Sequence, residues 1–130
     1  MKSVNRPANT RLANGFTILE LLIALVIVGI LTATALPEYQ HFRKQAYDNR
    51  ALTDLRSIAL AEESYYLDND RYLPCSNDTC ADLPGVTTLS SGTTVTVTVN
   101  NDSFFVESHH ERGTGRRYRW DSLGGGLVSN

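Results

Sequence analysis

Between Phe16 and Leu36, 16 of 21 residues are apolar, and Glu20 is the one ionisable side chain among them; Thr17, Gly29, Thr32 and Thr34 are the other breaks. A carboxylate one turn into an apolar helix costs on the order of 2–3 kcal/mol and marks a functional position. It needs a cation, and no Lys or Arg lies in the run. A cut after Gly15 would create one, the amino group of Phe16. In a bundle of such helices, Glu20 of one subunit would then pair with the Phe16 amine of its neighbour, neutralising both charges in low dielectric. That makes Glu20 an expected assembly residue that fixes axial register. The competing expectation is a carboxylate that snorkels to the headgroups from its place near the end of the run.

The remaining reactive side chains support less. Cys75 and Cys80 sit in a polar stretch expected to face an oxidising compartment, where a disulfide stapling a short loop is the default. A metal site with His109 and His110 is the alternative, weakened because neighbours on a strand point to opposite faces. Asp68, Asp70, Asp78 and Asp82 could offer oxygens to calcium, but their spacing fits no EF-hand loop. Arg112, Arg116, Arg117 and Arg119 could form a patch for DNA, yet Glu107, Glu111 and Asp121 flank them, so an ion-paired sheet face is expected. Asn77-Asp78-Thr79 and Asn101-Asp102-Ser103 match a glycosylation triplet that is common by chance. Histidine occurs only at positions 41, 109 and 110, without a nucleophile motif such as G-x-S-x-G, and no P-loop is present. The expectation is a protein that is not an enzyme and carries no cofactor and no metal.

The elements that must position Glu20 follow from the patterning. The 21-residue run reaches about 31 Å as a helix, roughly one hydrocarbon core. Residues 1–15 carry Lys2, Arg6 and Arg11 and no acid, which holds that leader on the cytoplasmic side and sends the rest of the chain outward. Its removal changes the formal charge from −2 to −5. Gly29 and Pro37 bracket weaker helix, since Gly lowers helix propensity and Pro37 cannot donate to Ala33; a bend or local melting is expected there. From Glu38 to about Leu67 the pattern turns amphipathic. Ala51, Leu52, Leu55, Ile58, Ala59, Tyr65 and Tyr66 share one band, with Arg50, Thr53, Ser57 and Ser64 opposite. Glu62 falls inside the band, so it is expected to reach the rim or to pair with a base of the sheet. The helix should stop at Asp68-Asn69-Asp70, with Asn69 taking the left-handed turn.

Thr93 to Val99 alternates as a half-buried strand, Asn100-Asn101 reads as a turn, and Phe104 begins a second strand to about Ser108. Arg116 to Asp121 alternates again, with Tyr118 and Trp120 on one face. Gly124 to Gly126 should end the order, with Leu127-Val128 as a short edge. The expected fold is α+β: a long N-terminal helix packed on a small antiparallel meander. Aromatics at Phe16, Tyr39, Phe42, Tyr47, Tyr65, Tyr66 and Tyr72 are expected to pack rather than to conduct electrons.

A mildly acidic balance, 12 Lys+Arg against 14 Asp+Glu, argues against a nucleic-acid scaffold as a class, and two cysteines exclude a four-Cys zinc site within one chain. The segment Gly15-Phe16-Thr17-Ile18-Leu19-Glu20, preceded by a basic leader and followed by an apolar run to Leu36-Pro37, closely resembles the class III signal of type IV prepilins and the related pseudopilins. The resemblance implies cleavage between Gly15 and Phe16 by a membrane prepilin peptidase, N-methylation of Phe16, and assembly through Glu20. It divides the chain into leader 1–15, membrane and filament-core helix 16–37, amphipathic half 38–67 and head 68–130, with the head similar to the pilin fold. Gly29 and Pro37 match positions that bracket a stretch which loses helical order on assembly in related filaments. The implied partners are copies of the chain, the peptidase, an inner-membrane assembly platform and separate ATPases, with the inner membrane before assembly and the cell surface after it. A secretion-system pseudopilin or minor pilin is the second possibility, and a membrane-anchored binding module the third. The short early disulfide loop departs from the C-terminal disulfide of many pilins.

Overall fold

The computed structural model describes residues 15–128. The basic leader residues Lys2, Arg6 and Arg11 lie outside the described residues. Two compact units divide at Pro37. One long helix, α1, runs over Ile18–Asn69 and contributes to both.

In the first unit every described side chain from Gly15 to Pro37 is exposed within the chain. This part of α1 is long and apolar enough to cross a membrane, with a mean hydropathy of 2.5 over its best window. The helix continues through Gly29 and Pro37 as one element, although Pro37 has no N–H to give to Ala33. Thr32 returns its hydroxyl proton to the Val28 carbonyl at 2.8 Å and Thr34 to Leu31 at 3.0 Å, so the polar side chains of the run satisfy themselves against its own backbone.

The second unit contains a five-stranded antiparallel sheet in sequential order: β1 (Cys75–Ser76), β2 (Thr93–Asn100), β3 (Ser103–His110), β4 (Arg117–Asp121) and β5 (Gly126–Val128). The period-2 alternation puts Val95, Val97, Phe104, Val106 and Ser108 on one buried face. Val97 pairs with Val106, which in turn pairs with Trp120. Leu55, Ile58 and Ala59 from α1 complete the core against that face. Ala51, also fully buried, accepts a 2.8 Å bond at its carbonyl from the Ser108 hydroxyl, which pins helix to sheet. Arg50, Thr53, Ser57 and Ser64 are exposed, as the helical wheel requires.

Three expectations change. Asp70, not Asn69, takes the left-handed conformation that ends α1, with φ of 53°. Asn69 instead folds its carboxamide back onto the Tyr65 carbonyl at 3.0 Å. Glu62 neither reaches the rim nor meets a base: it is fully buried and accepts a 2.9 Å bond from the Leu73 amide. The chain leaves the helix and returns close above Glu62, so a backbone donor arrives before any sheet cation does. The meander also gains the two-residue strand β1, too short to leave a pattern in sequence. The aromatics of the head pack: Tyr66 stacks on Tyr72 at 4.6 Å, and Tyr72 meets Phe104 at 4.7 Å.

Candidate assembly site

Gly15, Phe16 and Thr17 precede the helix, and Phe16 is 83% exposed. Thr17 acts as the cap. Its hydroxyl oxygen accepts the Glu20 amide at 3.2 Å, while Glu20 Oε2 accepts both the Thr17 amide and the Thr17 hydroxyl at 3.0 Å. This reciprocal capping box satisfies donors that the first helical turn leaves unpaired, and it sets an acid where the helix dipole favours one. The signal was present in sequence as Thr17-x-x-Glu20, and the reading of Glu20 as an intermolecular partner passed over it. The two roles are compatible. Both intramolecular bonds fall on Oε2, and among the described residues Oε1 accepts none. The box therefore holds the carboxylate in place at the helix start, one turn from Phe16, and leaves Oε1 without a partner among the described residues.

Around this carboxylate the apolar side chains have no cover among the described residues: Leu19, Leu22, Leu25 and Ile30 are between 55% and 66% exposed. Burying a side chain of this kind is worth roughly 1.5–3 kcal/mol. The helix is thus a surface awaiting lipid or other helices. Gly29 has open space around the position a Cβ would take, which leaves its backbone approachable by a neighbour.

In the head, Cys75 and Cys80 form a disulfide with a Cα separation of 5.1 Å. It closes the turn between β1 and the following 3₁₀ helix (Asn77–Asp82), and both sulfurs belong to the core. The cysteines are therefore unavailable to a metal. Both ring nitrogens of His110 are engaged, Nδ1 by the Arg112 amide at 3.0 Å and Nε2 with the Ser91 carbonyl at 3.1 Å, which makes Nε2 the donor in the neutral ring. Among the described residues no group of three or more His, Cys, Asp or Glu is gathered as a metal site would be. Asn77 spends its carboxamide oxygen on the Val95 amide at 3.0 Å, which ties the first glycosylation triplet into the fold. Two of the four arginines are ion-paired. Arg112 pairs with Glu111 at 3.8 Å and Arg119 with Glu107 at 3.9 Å.

Two buried acids are structural parts, Asp48, which the sequence pattern does not single out, and Glu62. Asp48 accepts the Thr114 amide at 3.1 and 3.2 Å and the Thr114 hydroxyl, anchoring the β3–β4 loop to α1. A Cβ at Gly113 would collide with the same carboxylate. Glu62 has one oxygen, Oε1, without a partner. Burial pushes its carboxyl up to about 7, against the opposing pull of the Leu73 amide.

Residues 10–36 match the family described as the prokaryotic N-terminal methylation motif. The chain is 36% identical over 64 residues to the type IV major pilin protein of Myxococcus xanthus, which covers 49% of this chain and 29% of that protein. It is 36% identical over 90 residues to a fimbrial protein of Neisseria meningitidis, 69% of this chain and 52% of the relative. Over 62 residues it is 36% identical to the type II secretion system core protein G of Aeromonas hydrophila, 48% of this chain and 43% of the relative. The chain spans about half or less of the length of these three relatives.

Proposed function

We infer that this chain, whose N-terminal region is that of the type IV pilins and their pseudopilin relatives, is a structural subunit that polymerises through its N-terminal helix into a type IV pilus. The observation that carries this is the pairing of an uncovered apolar helix with a single carboxylate fixed at its first turn. A prepilin peptidase removes residues 1–15 and Phe16 is N-methylated. The subunit waits in the inner membrane on its apolar helix, residues 16–37, and leaves it for the same helices of neighbouring copies. The unpartnered Glu20 oxygen takes the Phe16 amine of an adjacent subunit, so each newcomer locks at one axial offset. An assembly platform and separate ATPases supply the work. Gly29 and Pro37 are the points where the helix gives when the fibre is packed or pulled. The filament then acts at the cell surface in adhesion, motility or DNA uptake.

A pseudopilin of a type II secretion system is the second possibility, favoured by the match to core protein G. The match to the fimbrial protein extends over 69% of this chain and supports the pilus reading. Glu20→Ala tests the central claim. Cleavage and membrane insertion persist, shown by the mass of the membrane-bound subunit, and surface filaments sheared from cells disappear. Normal filaments from this variant would refute the role given to Glu20.

A further inference from the structure

Within the head unit, charge runs along α1 against the helix dipole. From Arg43 to Arg56 the helix carries Arg43, Lys44, Arg50 and Arg56, and its acids there, Asp48 and Asp54, are bound to Thr114 and Ser90. From Ser57 to Asp70 the chain has Glu62, Glu63, Asp68 and Asp70 and no base, and the last turn of the helix holds no basic residue. A helix C-terminus favours cations. Arg71 follows just past the helix end, and no ion pair among the described residues includes it. Among the described residues no ion pair includes Arg43, Arg50, Glu63, Asp68 or Asp70, and all five are exposed.

The basic end is organised rather than diffuse. The guanidinium carbons of Arg43 and Arg50 lie 5.8 and 5.3 Å from the centroid of the Tyr47 ring, and Arg43 donates to the Tyr47 hydroxyl at 3.3 Å. The ring itself stacks on His110 at 4.5 Å, which fixes it to the sheet. Arg112 lines the same open cavity beside Tyr47, and Arg43 and Arg112 together draw the phenol below its ordinary range. Guanidinium groups held by an aromatic ring lose less freedom when they take a carboxylate, and their fork matches it.

We propose that this basic end is an interface for a second copy of the chain and receives the acidic end of that copy's helix. The proposal rests on the filament reading. From Tyr47 to Asp68 is 21 residues, about 30 Å of helix, so parallel copies offset by that distance bring the two ends together. Arg50 and Asp68 are 18 residues apart, five turns on an ideal wheel of 100° per residue, so these two share one line of the helix and meet when the offset copy is also turned by about half a revolution; Arg43 lies within about 20° of the same line. Contacts of this kind select register and are screened by salt.

The test is a charge swap in the full-length chain, expressed in a pilus-forming cell. R43E/R50E and D68K each reduce sheared surface filaments by about tenfold or more, while the combined variant restores them to within about twofold of wild type. Mass and intact disulfide in the membrane fraction confirm that each subunit is processed and folded. R43Q/R50Q and D68N give smaller losses and serve if a reversal misfolds. Wild-type filament levels from either reversal, or a combined variant no better than its parents, overturn the proposal and leave the filament reading intact. A wild-type chain that forms no filaments defeats that reading, and this proposal with it. Normal filaments from R43E/R50E that fail to retain DNA would assign the basic end to nucleic acid and also overturn it.

Discussion

Leu25 and Phe104 are both large apolar side chains on regular secondary structure, yet Leu25 is 66% exposed and Phe104 is fully buried. The contrast holds for their regions. The head from Glu38 onward supplies partners for its own apolar face, with α1 covering the meander. The described stalk, residues 15–37, supplies none. A helix that leaves its whole apolar surface open is stable only in company, so the part of this protein that is structurally simplest is the part whose state depends on other molecules. The head has the opposite character. Its stability is internal, and its departures from a simple core are buried acids with assigned donors.

The sharpest way to break the comparison is to truncate one large side chain in each region. Phe104→Ala should lower head stability by about 3–5 kcal/mol, measured by denaturant unfolding followed through Trp120 fluorescence. Leu25→Ala should leave that transition within about 0.5 kcal/mol of wild type, because no head contact is lost. Equal effects would mean that the stalk helix contributes to the head core.

Next in size is Glu62. Its folded carboxyl titrates at about 7 against an ordinary 4.5. The folded state therefore binds the proton more tightly than the unfolded chain does. Stability from this group is fully present below about pH 4.5 and is lost as pH rises to about 7, by at most about 3 kcal/mol. Glu62→Gln should flatten that slope and stabilise the head at pH 8. A pH profile identical to wild type would contradict a buried carboxyl. The smallest effect belongs to the staple. Replacing Cys75 and Cys80 together by Ser should cost about 2 kcal/mol, since the bridge closes a ring of only six residues. The stalk should be indifferent to it, with membrane insertion unchanged.

Legibility in sequence divides along the same line. The stalk was readable because one solvent, hydrocarbon, sets its composition, and a lone Glu20 stands out against it. The helix band and the strands from Thr93 onward were readable from period alone. What escaped were contacts between positions far apart in the chain: Asp48 reaching Thr114, Glu62 reaching Leu73, Ser108 reaching Ala51. Periodicity assigns a residue to a face but does not say which donor the returning chain will present there. Glu62 was placed correctly inside the apolar band and given the wrong partner for that reason. The capping box at Thr17 and Glu20 is a different kind of miss, because the local signal was complete and a longer-range role for Glu20 drew attention from it.

That box also sets a border. With Thr17 as the cap, the helical ladder starts at Ile18 and leaves Gly15 and Phe16 in backbone that belongs to no regular element. A peptidase needs its substrate as extended chain, and a bond inside a helix must first be unwound. The proposed scissile bond lies just short of the first helical turn, so the enzyme meets it already open, while the same two side chains keep the helix from creeping toward the leader. The residues proposed to start assembly thus also border the bond proposed to be cut.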